Sequence, residues 1–149
     1  MGYKRKARVL FLSGDNGSRS LMAAGFANQM GENWLEGRPA VLKQQGCDLL
    51  AVEVMHESGV ECGGGNPGEM NEALLKWADL VVFMDPEAEQ CSPPLPQGVQ
   101  KRSYFFDDPA GVAGTAENMK DNYRKVRDQI RQRVVGMIGG IKMLQKASF

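Results

Sequence analysis

The chain has few of the residues that build metal centres, disulfide frameworks or membrane spans. It contains one histidine, His56, which we interpret as a surface residue because no second ligand lies near it in the sequence. Its three cysteines, Cys47, Cys62 and Cys91, form no CxxC pair and are typical neither of a zinc site nor of a disulfide framework. No apolar run approaches the roughly 20 residues of a membrane-spanning helix. The sequence therefore predicts no metal, no cofactor and no membrane.

An excess of charge is also missing. The 149 residues carry 18 basic and 18 acidic side chains, and the formal net charge is +0. A balanced charge argues against nucleic acid or an acidic membrane as the main partner. The basic start, residues 4–8, has no apolar signal core behind it, so we expect a cytoplasmic protein. A chain of this length can bury a core, and residues 1–149 are expected to form one domain.

What the chain does have is a strand, a short loop and a helix between Arg8 and Met30. Val9–Leu12 is an unbroken apolar run, typical of a parallel strand buried on both faces. Apolar residues then recur every four positions on one helical face: Met22, Phe26 and Met30. Loop 13–18 and the first helical turn bring backbone N–H groups together, where the helix dipole favours negative charge. The pattern predicts an oxyanion site, to which Arg19 adds a permanently charged planar fork.

The rest of the chain alternates between strand and helix patterns. Further strands are predicted at residues 40–42, 79–84 and 101–106. Further helices are predicted at residues 49–58, 70–77 and 123–141, and Asp48 is placed to cap the first of these. Connections are predicted at residues 32–38, 62–68 and 85–98. This alternation predicts an α/β fold, a three-layer sandwich with a four-stranded parallel sheet and helices on both faces.

A second loop that could carry chemistry follows the last predicted strand. Asp107, Asp108 and Pro109 open a turn there, and Asp-Pro taken alone is a common turn sequence. Ligands in parallel sheets bind at the carboxyl ends of the strands. Loops 13–20 and 107–111 both follow strand ends, so we expect them at the same edge of the sheet.

The first loop resembles that of the low-molecular-weight protein tyrosine phosphatases and of the arsenate reductases that share their fold. The family pattern is a strand, a cysteine, five residues, an arginine, a serine and a helix. The aligned positions here are Ser13, residues 14–18, Arg19 and Ser20. The second marker of the family is an Asp-Pro after the last strand, which Asp108 and the following proline match.

The resemblance implies roles for these residues. Ser13, Arg19 and Asp108 take the catalytic positions, with Arg19 gripping the oxyanion and Asp108 acting as general acid. The resemblance also implies that Asn16 fixes a left-handed turn and that Ser20 hydrogen-bonds the residue at position 13. The oxyanion-binding loop as a whole is Gly14, Asp15, Asn16, Gly17, Ser18, Arg19 and Ser20.

The sequence departs from the family at the nucleophile, because Ser13 stands where the family has cysteine. A thiol in such a loop ionises at a lowered pKa, whereas a hydroxyl needs an adjacent base. Arsenate reduction further requires a sulfur that takes the arsenic and then forms a disulfide, and oxygen cannot carry those electrons. Thioredoxin-linked arsenate reductases also use two relay cysteines, and the aligned residues here are Met84 and Cys91. Asp15 places a carboxylate in the loop, which repels a dianion unless it points away or is protonated.

Three interpretations of this departure are open. The chain is a degenerate relative whose loop binds phosphate, arsenate, sulfate or a phosphorylated protein. Alternatively, it is an active arsenate reductase or phosphatase seen as a Cys-to-Ser variant at Ser13. A third possibility is an interaction protein that uses only its surface and holds no ligand. Asp15 and Ser18 also differ from the family pattern, which favours the first interpretation.

Overall fold

The computed structural model describes residues 5–14, 16–44, 46–63, 65–111 and 114–147, in which strands alternate with helices. The strands are Ala7–Ser13 (β1), Leu35–Val41 (β2), Leu80–Phe83 (β3) and Gln100–Ser103 (β4). The α-helices are Ser18–Met30 (α1), Leu49–Glu57 (α2), Glu72–Trp77 (α3), Pro86–Cys91 (α4) and Ala116–Ala147 (α5). A single 3-10 turn, Pro109–Gly111, lies between β4 and α5.

The strands form one parallel sheet in the order β2-β1-β3-β4, with β1 in an interior position. Val9 and Phe11 pack on one face against α1, α2 and α5, while Leu10 and Leu12 pack on the other against α3 and α4. All four side chains are almost fully buried. Burial on both faces explains why the run has no polar alternation. The predicted three-layer α/β sandwich is confirmed.

β2 is longer than the sequence predicts. The prediction of a connection over residues 32–38 is wrong, because the strand begins at Leu35 and Pro39 lies inside it. Pro39 pairs with Phe11 at the edge of the sheet. A proline is tolerated at an edge because its missing N–H leaves no second neighbouring strand without a partner.

Helix α4 is a second departure, since residues 85–98 are predicted to be a connection and the structure places a helix of six residues there. Asp85 caps the helix by accepting a hydrogen bond from the Ala88 N–H at 2.8 Å, and Pro86 opens it. Proline is favoured in the first helical turn because an N–H there has no intrahelical partner. The Asp-Pro pair at residues 85–86 therefore marks the start of a helix.

Other local predictions agree with the structure. Asp48 caps α2 by accepting from the Ala51 N–H at 3.1 Å, and the His56 side chain is 73% exposed beside Glu61. The predicted apolar face of α5 is largely buried, while the helix extends beyond it at both ends.

In the described part of the chain, no helix is long and apolar enough to cross a membrane. The same residues contain no cluster of three or more potential metal ligands.

Candidate oxyanion-binding site

The loop between β1 and α1 sits at the carboxyl edge of the sheet. Ser13, Ser18 and Ser20 are fully buried, and Arg19 is 7% exposed. The Leu21 N–H donates to the Gly17 carbonyl at 2.9 Å, which closes the first turn of α1. The helix N-terminus therefore faces the loop, as the strand-loop-helix pattern predicts. Asp15 lies outside the described residues, and its place in the site stays a prediction.

In the described part of the loop, close packing and not a left-handed torsion sets the path of the backbone. A Cβ at Gly17 would lie 2.9 Å from Val41 Cγ1 and would also clash with the Pro67 ring. A Cβ at Gly14 would lie 2.6 Å from Glu87 Oε2. No described non-glycine residue has a positive φ, so the expected left-handed turn at Asn16 is wrong. Glycine is required at position 17 because the Val41 and Pro67 side chains approach too closely for a Cβ.

Asn16 instead connects the two loops. Its side-chain oxygen accepts a hydrogen bond from the Ser18 N–H at 3.0 Å. Its Nδ2 donates to Asp108 Oδ1 at 2.7 Å, and the same oxygen accepts from the Ala110 N–H at 2.9 Å. The expectation that the two loops meet at one edge of the sheet is met, and the exposed Asp108 carboxylate lies beside the oxyanion loop.

Arg19 is fixed by two protein acceptors. Its Nη1 donates to the Phe106 carbonyl at 2.8 Å, and its Nη2 lies 3.1 Å from Asp85 Oδ2. Asp85 is 5% exposed and also accepts from the Gly14 N–H at 3.0 Å. One carboxylate therefore holds the arginine, the loop backbone and the start of α4 together. Sequence reasoning missed Asp85 as a site residue, although an aspartate directly after a buried parallel strand is a usable signal.

Three buried polar atoms at this edge have no hydrogen-bond partner among the described residues: Ser13 Oγ, Ser18 Oγ and Arg19 Nε. An unpaired buried donor or acceptor costs about 1–3 kcal/mol, so these three atoms favour a polar partner at this edge of the sheet. The Ser20 hydroxyl does not make the hydrogen bond that the resemblance implies. Its Oγ donates to the Gly17 carbonyl at 3.0 Å, and the expected hydrogen bond to Ser13 is wrong.

The described part of the chain supplies Ser13 with no base. Its Oγ makes no hydrogen bond there, and His56 lies on α2 paired with Glu61. A serine without a base partner is a poor nucleophile. The described residues can hold a tetrahedral anion, but none of them hydrogen-bonds the Ser13 hydroxyl to activate it.

A cavity of about 500 Å³ adjoins the loop and shares Asn16 and Gly17 with it. Asp48 and Tyr123 line the cavity, and the Tyr123 hydroxyl donates to Asp48 Oδ2 at 2.9 Å. Burial, with Asp48 beside it, raises the pKa of Tyr123, so the hydroxyl stays protonated. The cavity gives space for the group to which an oxyanion is attached. Sequence reasoning did not place either residue at the site.

None of the three cysteines offers a thiol in the position of Ser13. Cys62 packs against α1, with its Sγ 3.9 Å from the Leu21 carbonyl. Burial, with Glu61 beside it, raises the pKa of Cys62 to about 11. Cys47 lines the cavity and is exposed, as is Cys91.

We expect iodoacetamide at pH 8 to alkylate Cys47 and Cys91 well before Cys62. Alkylation requires an accessible thiolate, and burial both keeps the Cys62 thiol protonated and limits the access of the reagent to it. Peptide mass spectrometry over a time course measures the order. Labelling of the urea-unfolded chain is the control, because all three sites should then react at similar rates. Equal rates in the folded protein would contradict the buried placement of Cys62.

Comparison with known proteins agrees with this architecture. The family model described as low molecular weight phosphotyrosine protein phosphatase matches residues 8–148. The chain is 33% identical over 127 residues to an arsenate reductase of Bacillus subtilis (strain 168), covering 85% of this chain and 91% of the relative. It is 32% identical over 130 residues to an arsenate reductase of Halalkalibacterium halodurans, covering 87% and 93%.

Solved structures show the same fold. The crystal structure of a low molecular weight protein tyrosine phosphatase from T. tengcongensis superposes with a TM-score of 0.73 at 23% identity. The superposition covers 91% of this chain and 99% of that chain. At this level of identity the likeness concerns the path of the backbone.

Proposed function

Since the chain belongs to the low molecular weight phosphotyrosine protein phosphatase family, we propose that it is an oxyanion-binding member that lacks the nucleophile. It holds a tetrahedral anion in the loop of residues 13–20 and does not turn it over. Phosphate, arsenate and sulfate share the required shape and charge, and so does the phosphoryl group of a modified protein. The adjoining cavity favours an oxyanion that carries a substituent.

The observation that carries the proposal is the set of unpartnered buried polar atoms on the loop, Ser13 Oγ, Ser18 Oγ and Arg19 Nε. A protein rarely leaves such atoms unpaired in one place without a ligand role. The N-terminus of α1 adds backbone N–H groups and a favourable dipole there. A tetrahedral anion accepts hydrogen bonds from all of these donors at once.

Neighbouring carboxylates limit the affinity. Asp85 already neutralises part of the Arg19 charge at 3.1 Å, and the Glu87 carboxyl group lies against Gly14. Negative charge close to the loop opposes a dianion. We therefore expect binding of the free anion in the range of roughly 1 mM, which corresponds to about −4 kcal/mol.

An NMR titration with inorganic phosphate tests the proposal. We expect the backbone amide signals of residues 16–20 to shift in a saturable way. Ser18→Ala should weaken binding by about three- to tenfold, because it removes one donor to a charged ligand and breaks no hydrogen bond among the described residues. Ser103→Ala, an exposed serine on β4, is the matched control and should bind like the parent chain.

Two results would contradict the proposal. One is the absence of any shift at residues 16–20 at 50-fold excess over the expected dissociation constant. The other is equal binding by the parent chain and Ser18→Ala, which would move the anion to another part of the surface. Either result would favour a protein that interacts through its surface alone.

The second candidate function is a phosphatase or arsenate reductase whose cysteine is replaced at Ser13. The contact between Asn16 and Asp108 favours it, because a carboxylate at the rim of an oxyanion loop is where a general acid must lie. As a phosphatase, this candidate lacks only the sulfur at position 13, whereas as a thioredoxin-linked arsenate reductase it also lacks the relay cysteine aligned with Met84.

A further inference from the structure

A second concavity is separate from the cavity at the oxyanion loop, and the two have no lining residue in common. It is a groove of about 980 Å³ between β4 and the C-terminal half of α5, on the sheet face that α5 covers. Ligand sites for small molecules typically span 300–1,000 Å³, so the groove has the size of a site for an elongated organic molecule.

The floor and one end of the groove are apolar. Val9, which is fully buried, and the partly buried Leu80 lie beneath the groove. Met137, Ile141 and Leu144 continue the apolar surface along the helix. These three residues follow a spacing of three and four, so they line one face of α5. An apolar chain laid along this face would lose its contact with water.

The helix wall is open because of two glycines. Gly136 and Gly140 lie four residues apart on the groove side of α5, and a Cβ at either position would meet no atom within 4 Å. Glycine inside a helix costs about 1 kcal/mol relative to alanine, so neither residue is there for helix stability. Their effect is to deepen the groove by the volume of two side chains.

The other end of the groove is cationic. Arg102 projects from β4, and Arg133 lies on α5 with its guanidinium carbon 4.7 Å from the centre of the Tyr104 ring. Among the described residues, neither arginine has a carboxylate partner. Asp79 also borders the groove, but it already pairs with Arg5 at 2.8 Å. The groove therefore combines an apolar trough with two unneutralised guanidinium groups.

We propose that this groove binds an amphipathic carboxylate, a molecule with one carboxylate head and a linear apolar chain. The carboxylate lies between Arg102 and Arg133, which present planar forks suited to it. The chain runs past Gly136 and Gly140 onto Met137 and Ile141. Medium-chain fatty acids have this chemistry. The proposal uses no residue of the oxyanion loop and is independent of the function proposed for that loop.

The test measures the binding of decanoate to the whole chain in two ways. One is calorimetry, and the other is displacement of anilinonaphthalene sulfonate, a fluorescent apolar anion. Decyltrimethylammonium, with a linear chain of similar length and the opposite charge, is the matched ligand. We expect decanoate to displace the probe at a concentration at least about tenfold lower than the cation requires, because the head lies between two guanidinium groups.

Variants locate the site within the groove. Gly140→Leu should fill the trough and weaken decanoate binding about tenfold or more, while Gly139→Leu, one residue away and outside the groove, should leave it unchanged. Arg102→Gln should weaken decanoate binding roughly five- to tenfold and should not weaken binding of the cation, because it removes a positive charge from the head-group end. Lys101→Gln, the neighbouring residue on β4 outside the groove, is its control. Gly136→Leu repeats the filling test if Gly140→Leu fails to fold.

Several results would overturn the proposal. Equal displacement by decanoate and by the cation would show an apolar surface without charge selectivity. Full binding in both folded leucine variants of the groove glycines would place the ligand elsewhere. Displacement of the probe by an acidic peptide but not by decanoate would assign the groove to a protein partner. Phosphate binding at residues 16–20 is measured separately and is expected to be unchanged in every groove variant.

Discussion

Replacing Ser13 with cysteine is expected to give a thiol of lowered pKa and a measurable aryl phosphatase activity. Ser13 Oγ is fully buried beside the N-terminus of α1, and no described residue hydrogen-bonds it. A thiolate at that position would face the helix dipole and the unpartnered Ser18 Oγ and Arg19 Nε. These groups stabilise an anion, so the thiol should ionise well below its ordinary pKa of about 8.5.

The measurements are the rate of iodoacetamide reaction against pH and the hydrolysis of an aryl phosphate. The exposed thiols of Cys47 and Cys91 also react with iodoacetamide. The thiol titration is therefore done on a chain that also carries Cys47→Ser and Cys91→Ser. We expect the parent chain to show no turnover of the phosphate and no reduction of arsenate. Cysteine at position 13 should introduce phosphatase activity that rises further when Asp15 is replaced by glycine, because a negative charge is removed from the loop.

Adding Asp108→Ala to the Ser13→Cys, Asp15→Gly chain should remove most of the new activity. Loss of a general acid typically costs 10²–10⁴-fold in rate. Asp107→Ala is the matched control, since it is the neighbouring carboxylate and is not expected to protonate the leaving group. A thiol of ordinary pKa together with no activity in either chain would show that the loop does not stabilise an anion at position 13. Turnover in the parent chain that survives Ser13→Ala would show that another group performs the chemistry.

Replacing Asp85 with alanine is expected to cause the largest loss of stability of any single charge removal at the site. The Arg19 and Asp85 side chains are 8% and 7% exposed and lie 3.1 Å apart. Removing one partner of a buried pair leaves an uncompensated buried charge and costs about 3–5 kcal/mol. Asp85 also accepts from the Gly14 and Ala88 N–H groups, so the loop and α4 lose an acceptor as well.

Urea unfolding followed by circular dichroism measures this loss. Glu36→Gln is the control, because it breaks an ion pair of similar length, 3.1 Å to Arg38, whose side chains are each 46% exposed. Glu36→Gln should lower the free energy of unfolding by at most about 1 kcal/mol. Asp85→Asn should fall between the two, since an amide oxygen can still accept from the Ala88 N–H but carries no charge. An Asp85→Ala chain as stable as the Glu36→Gln chain would contradict the buried pairing.

Local spacing was enough to predict the strand-loop-helix unit that carries the candidate oxyanion site. An apolar run without alternation specifies a doubly buried strand, and a four-residue apolar repeat specifies a helix. The N-terminus of any such helix exposes N–H groups, whatever the rest of the fold does. Asp48 as a cap is a further local signal that the structure bears out. Each of these features depends on neighbours within a few residues.

Tertiary structure decided the features that depend on distant segments. Pro39 sits inside β2 because that strand lies at the edge of the sheet, and strand order is not written in the local pattern. Gly17 is needed because Pro67 and Val41 approach it, and not for its torsion angles. Asp85 reaches Gly14 across 71 positions of sequence, so no spacing rule could pair them. The hydrogen bonds of the loop, and the groove beside α5, follow from which surfaces meet on folding, and only the packed molecule settles that.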